Sequence, residues 1–151
     1  MDKETYKQYR TKAKNYYKGK KKLWKHINKV QKLSLLICDI VDISNTDRRL
    51  VKLGALLHDI GKCKFIKAAI GNDYDKDKHH IYGEEFLKYS ERFLEKPFFK
   101  KTDISKEDKK LICMMVRYHK GSFDYRKYIT PREKCLIAIV RMADKISKVY
   151  K

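Results

Sequence analysis

Five stretches of this chain carry apolar residues at the helical period of about 3.6, and each sets an ionisable side chain within its apolar stripe. His26 precedes Val30 by four residues and Leu33 by seven. His58 follows Leu50 by eight and Gly54 by four, with Asp59 directly after it. His79 is followed at +4, +7 and +8 by Gly83, Phe86 and Leu87. His119 follows Ile112 by seven and Met115 by four, and Asp144 stands in the same relation to Ile137 and Val140. An unpaired buried carboxylate is costly, so Asp59 and Asp144 both need partners. One inward histidine is more often a hydrogen-bonded core residue than a ligand. Inward histidines on four elements, with two acids, point instead to a divalent ion held by imidazole nitrogen and carboxylate oxygen. The neighbouring His80 falls on a mixed face with Glu84, Leu87 and Glu91, so His79 is the candidate of that pair.

The rest of the chain supports a helical fold. With six glycines and two prolines in 151 residues, there is little material for the tight turns of an all-β protein. A chain of this length makes one domain and buries a core without staples. The expectation is an all-α, single compact bundle of five to seven helices with essentially no sheet. Residues 1–22, with Tyr6, Tyr9, Tyr16 and Tyr17 among lysines, form a basic N-terminal helix or arm. Residues 23–151 form the main domain. A helix of clear period starts at Trp24 and a second near Asn45–Asp47. The acidic segment GNDYDKDK reads as a loop, and the next helix runs from about His79 to Leu94. PFFKKTD is a loop, and Ser105 with Asp108 caps the helix ending near His119. Thr130, Pro131 and Glu133 supply a cap, a first-turn proline and a capping-box acid for the last helix.

The 38 Lys and Arg against 19 Asp and Glu give a formal charge of +19. That field attracts phosphorylated small molecules, nucleic acid or an acidic surface. The excess is nearly all lysine, which an A+T-rich coding sequence also produces, so charge favours an anionic partner without choosing one. Cys38, Cys63, Cys113 and Cys135 are spaced singly, which argues against a zinc knuckle or a disulfide framework. The first 25 residues carry ten Lys and Arg and no apolar core, so a secretory leader is not expected. The apolar run 33–43 is too short and interrupted to span a bilayer. The expected location is cytoplasmic, with no membrane partner.

The ordered motifs resemble those of the HD superfamily, named for a His-Asp doublet. ALLHDIGK at 55–62 is similar to its central motif, LWKHINKV carries the earlier histidine, and HHIYGEEFL begins at 79. VRYHKG at 116–121 and IVRMADKIS at 139–147 resemble the later histidine motif and the helix of the final aspartate. The resemblance runs from Trp24 to Ser147. Within the superfamily these segments look most like the C-terminal HD portion of exopolyphosphatase/guanosine pentaphosphatase proteins, whose actin-like catalytic domain has no counterpart in these residues. The cyclic-di-GMP subgroup has a GYP signature where this chain has HKGSFD. The stringent-response hydrolases have an acidic pair where Ile60-Gly61-Lys62 stands.

The resemblance implies a metal-dependent phosphohydrolase acting on a phosphomonoester or phosphodiester, with a nucleotide as the expected substrate, by metal-activated water. It implies His26, His58, Asp59 and Asp144 around a first ion, and His79 and His119 around a second that shares Asp59. One or two ions of Mn, Fe, Ni, Co, Zn or Mg fit such ligands better than Ca. Asp59 and Lys62 are the candidate catalytic residues, Lys62 as a point charge on a phosphate oxygen; Arg117 and Lys120 flank His119 as weaker candidates. Two other readings stay open. One is a nuclease like the HD domains of CRISPR helicase-nucleases, favoured by the charge and the Tyr/Lys segment. The other is a non-catalytic HD module that binds a ligand or a partner protein.

Overall fold

Helix-capping side chains divide the chain where the local sequence asks for it. A computed structural model describes residues 1–94, 96–121 and 129–149. Among them are seven α-helices and no strand: α1 Lys3–Tyr16, α2 Lys21–Ile40, α3 Asn45–Leu57, α4 Lys64–Ile70, α5 His79–Lys88, α6 Lys106–Tyr118 and α7 Pro131–Val149. Ser44 Oγ accepts from Asp47 N at 3.2 Å, and Ser105 Oγ accepts from Asp108 N at 3.1 Å. At the start of α7, Glu133 N donates to Thr130 Oγ1 at 3.1 Å and Thr130 N donates to Glu133 Oε1 at 3.3 Å. That reciprocal pair is the capping box the sequence implies. No helix of the described residues is long and apolar enough to cross a membrane.

α2 and α7 pack side by side, α3 lies against α2 and α6, and α5 packs on α6. His26 near the start of α2 meets Ser147 near the end of α7, so these two helices run antiparallel. The main core of the bundle is built from Ile27, Leu53, Leu56, Leu57, Ile112, Met115, Ile137 and Val140, and Val30 packs in a smaller cluster with Ala55 and Ala143, all essentially closed to solvent. Burial of such side chains is the main source of stability here. Cys38, Cys63 and Cys113 are buried free thiols within this interior, and Cys135 is exposed. Burial pushes the Cys63 thiol up to about 12 and that of Cys113 up to about 11.

Three local features go beyond what the sequence pattern shows. The N-terminal segment shows no conventional apolar face in sequence, yet α1 docks through its tyrosines. Tyr9 and Tyr17 are buried, and the Tyr9 hydroxyl donates to Asp103 Oδ2 at 2.7 Å while accepting from Lys100 N at 3.0 Å. Tyr9 and Tyr16 join Phe65, Phe86, Phe98 and Phe99 in a network of ring contacts. These rings pack against one another, which docks α1 on the rest of the bundle. Secondly, α4 occupies a stretch too short to show a period, and two 3₁₀ turns at Gly71–Asp73 and Lys76–Lys78 occupy much of GNDYDKDK. Thirdly, α5 stops at Lys88 instead of Leu94. The buried Ser90 hydroxyl turns back to Phe86 O at 2.7 Å, a local bond that competes with helix continuation, and a 3₁₀ turn follows at Ser90–Arg92.

One close approach positions everything that follows. After α3 the chain makes a 3₁₀ turn at Ile60–Lys62 that lies directly on α5. A Cβ on Gly61 would stand 1.9 Å from the carbonyl oxygen of His79, and one on Gly83 would stand 2.9 Å from Val116 Cγ1. Only glycine at 61 lets the segment bearing Asp59 approach the backbone of His79. The obstacle is backbone, so side-chain rotation cannot relieve it. Gly61→Ala is expected to cost about 3 kcal/mol and to lower Tm by roughly 6–12 °C in a thermal melt followed by circular dichroism; an unchanged Tm would contradict this contact.

Candidate metal centre

The six residues singled out in the sequence come together around the Asp59 carboxylate. His58, Asp59, His79, His119 and Asp144 are buried, while the His26 side chain is 22% exposed and forms the edge open to solvent. Asp59 Oδ1 lies 3.0 Å from Nε2 of His79 and 3.4 Å from Nε2 of His119. Its Oδ2 lies 3.3 Å from Nε2 of His58 and 3.4 Å from Nε2 of His26. Asp144 Oδ1 is 3.0 Å from Nε2 of His26 and 3.5 Å from Nε2 of His58. The carboxylate of Asp59 therefore divides the histidines into two pairs, one for each oxygen.

Each imidazole is held by its other nitrogen. His58 Nδ1 is 2.6 Å from Ala55 O, His79 Nδ1 is 2.9 Å from Lys76 O and His119 Nδ1 is 2.6 Å from Val116 O. A carbonyl only accepts, so these Nδ1 atoms carry the proton and turn Nε2 inward. His26 Nδ1 lies 3.4 Å from Ser147 Oγ, whose hydroxyl donates to Asp144 O at 2.6 Å. Such anchoring fixes tautomer and ring direction in metal-binding histidines. Ser147 is a contributor the sequence reading missed. Its signal is a position three residues after Asp144, on the same helical face.

The donor set fits a divalent ion. His79 Nε2 and His119 Nε2 face each other at 3.3 Å. With both Nδ1 atoms donating to carbonyls, a proton or a cation must lie between the facing lone pairs. His58 Nε2 and Asp144 Oδ1 are buried at ion-pair distance but neither is in hydrogen-bond geometry. His26–His58–Asp59, His58–His119–Asp144 and Asp59–His79–His119 each bring three ligand atoms within 4.8 Å of one another. Mixed imidazole and carboxylate donors suit a transition-metal dication.

Protonation follows the same geometry. Burial pushes the Asp59 carboxyl up, but His58, His119 and His26 outweigh it and hold it well below the carboxylate range. Burial likewise raises and His26 and His58 lower Asp144, with a net shift downward. His58 is pushed down by burial, but Asp59 and Asp144 carry it up to about 10. His26 is raised by Asp144 and Asp59, whereas burial leaves His119 lowered.

The other candidates separate clearly. Lys62 Nζ stands 3.5 Å from Asp59 Oδ2, with its side chain partly exposed at the rim. Arg117 turns to Glu84 at 4.0 Å and Lys120 to Asp77 at 3.7 Å. His80 is not within ion-pair distance of Asp59; burial and the flanking His119 and His79 lower it to about 4. Of HKGSFD, residues 122–124 lie outside the described residues.

An all-α bundle whose helices converge four histidines and two aspartates on one buried point defines a class of metal-binding helical domains. The chain belongs to the HD domain family, whose model matches residues 23–148. HD domains are generally metal-dependent phosphohydrolases. No curated protein and no solved structure matches the chain.

Metal loading should displace protons, because ligation needs the Nε2 lone pair that His58 shares with a proton at neutral pH. His58 is raised in the folded chain, so its pairing with the carboxylates stabilises fully below about pH 6.5 and is lost as pH rises through about 10. Titrating Mn or Co into chelator-treated protein at pH 7, in buffers of different ionisation enthalpy, should show release of about one proton or more per chain. Apparent metal affinity should weaken as pH falls. Calorimetric heats independent of buffer would contradict the assignment of His58.

Proposed function

We propose that the chain is a metal-dependent phosphohydrolase that cleaves a phosphomonoester or phosphodiester, with a nucleotide as the favoured substrate. The observation that carries this reading is the division of Asp59 between two histidine pairs. His26, His58, Asp59 and Asp144 would hold one divalent ion, and His79, His119 and Asp59 a second. Bound divalent ions supply Lewis-acid polarisation of a phosphoryl oxygen and acidify water. The protein's own part is orientation. Anchored Nδ1 atoms fix three imidazoles before any ligand arrives, and Ser147 supports the fourth. Asp59 holds both sets in register from a buried position that excludes bulk water. Lys62, at the rim beside Asp59, is placed to meet a non-bridging phosphate oxygen as charge builds there. The four singly spaced free cysteines support a cytoplasmic setting.

Elemental analysis of protein purified without chelator or histidine tag should find about one or two transition-metal ions per chain. Asp59→Ala should lose them together with hydrolysis of phosphate esters in a substrate screen. Lys62→Ala should keep its metal and lose roughly tenfold or more in kcat/KM. A wild-type chain that binds metal yet hydrolyses no phosphate ester would instead identify a binding module, and an active Asp59→Ala variant would refute the centre.

A further inference from the structure

α2 and α7 lie side by side in a fixed register. His26 meets Ser147, and one helical turn along Val30 shares a small buried cluster with Ala143. α3 closes one side of this seam, where its Ala55 completes that cluster. On the other side the line Leu33, Leu36, Ile37 and Ile40 runs along α2 at helical spacing. Cys135, Ile139, Met142 and Ile146 run back along the matching edge of α7 at the same spacing. Every position on both lines is apolar, in a chain with 38 Lys and Arg among 151 residues. Ile139 is buried in the seam, but Leu36 is 57% exposed, Ile40 81%, Met142 51% and Val41, at the end of α2, 50%.

The exposed part of this face comes to on the order of 500 Å² of apolar surface, near the upper end of what a soluble monomer leaves uncovered. With a polar rim it reaches the roughly 800 Å² per partner of a standard interface. Charge selects the occupant. A partner drawn by the +19 field would be acidic and would settle among the lysines, not on an uncharged strip. Two copies of this chain repel each other over most of their surface, so they can meet only where lysine is missing. The α2 strip also matches itself. Laid antiparallel on α2 of a second copy and centred between Leu36 and Ile37, it sets Leu33 against Ile40. The same pairing brings the exposed Asp42 alongside the exposed Lys32 of the second copy. A two-fold contact requires such a self-complementary patch.

We infer that the open side of the α2–α7 seam is a homodimer interface, with α2 packed antiparallel on α2 of a second copy. The solvent edge of the metal centre, at His26, lies two helical turns before Leu33 and stays outside the contact. The dimer is independent of the reaction proposed for that centre.

The test is sedimentation equilibrium of the full-length chain over about 1–100 μM, at salt concentrations of about 0.05 and 0.5 M. Wild type should pass from one to two chain masses across that range. It should do so more readily at the higher salt, which screens repulsion between the copies and leaves apolar contact intact. Leu36→Glu/Ile40→Glu alters two exposed helix positions and lowers the net charge by two, which eases the repulsion. It should nevertheless weaken the dimer by at least roughly tenfold. Lys106→Gln/Lys110→Gln on α6 makes the same charge change elsewhere and should dimerise at least as well as wild type. Circular dichroism verifies that both variants are folded. Position 36 lies beside the two-fold axis, so in a Cys135→Ser background Leu36→Cys should cross-link to its copy under mild oxidation, and Lys110→Cys should not. A wild type that stays at one chain mass would overturn the dimer and leave the face to a different protein. An unweakened dimer in Leu36→Glu/Ile40→Glu, or dissociation on adding salt, would overturn the apolar interface. Absence of the Leu36→Cys cross-link would overturn the antiparallel pairing.

Discussion

A single buried carboxylate sets the terms for the whole molecule. Asp59 is closed to solvent and surrounded by the Nε2 atoms of four histidines, two at each oxygen. Removing a carboxylate from water is costly unless positive charge and hydrogen-bond donors replace the solvent. The helices are arranged to supply that compensation. α2 brings His26, the end of α3 brings the His58–Asp59 doublet, α5 brings His79, α6 brings His119 and α7 brings Asp144. The glycine contact at 61 then allows the doublet to meet α5 at backbone distance.

The hydrogen bonds at the other imidazole nitrogens make this compensation directional. Three of the four rings are fixed by the carbonyl three residues earlier in their own chain segment. A helix end or its last turn therefore provides both the histidine and the acceptor that orients it. A proton and a bound metal would compete for the same inward lone pairs, which would tie the electrostatics of the centre to its loading.

Much of this was legible in the sequence because helical period reports which face is buried. The inward positions of His26, His79, His119 and Asp144 follow from their spacing to apolar residues, and the choice of His79 over His80 follows from the neighbours of each. The caps at Ser105 and Thr130 were readable for the same local reason, whereas the helix start near Asn45 was placed without its Ser44 cap. Other features have no local signature. The inward face of α1 is made of tyrosines, which a hydropathy pattern scores poorly although their rings pack well. α4 is too short to display a period. The approach of Gly61 to His79 and the support of His26 by Ser147 both join residues distant in sequence. They depend on packing that periodicity cannot encode.

The antiparallel seam between α2 and α7 has a consequence for how the protein is made. His26 and Ser147 touch although 121 residues separate them, and Asp144 lies on the same last helix. During synthesis from the N-terminus, the histidines of α2, α3, α5 and α6 all emerge before that helix does. Closing so long a loop is among the slower, entropically costly steps of folding. The complete set of six side chains therefore exists only once α7 has been made and has docked. Until then the nascent chain has the doublet without its second acid, and it cannot assemble the finished centre. Convergence of all six side chains is thus a report that α7 is in place.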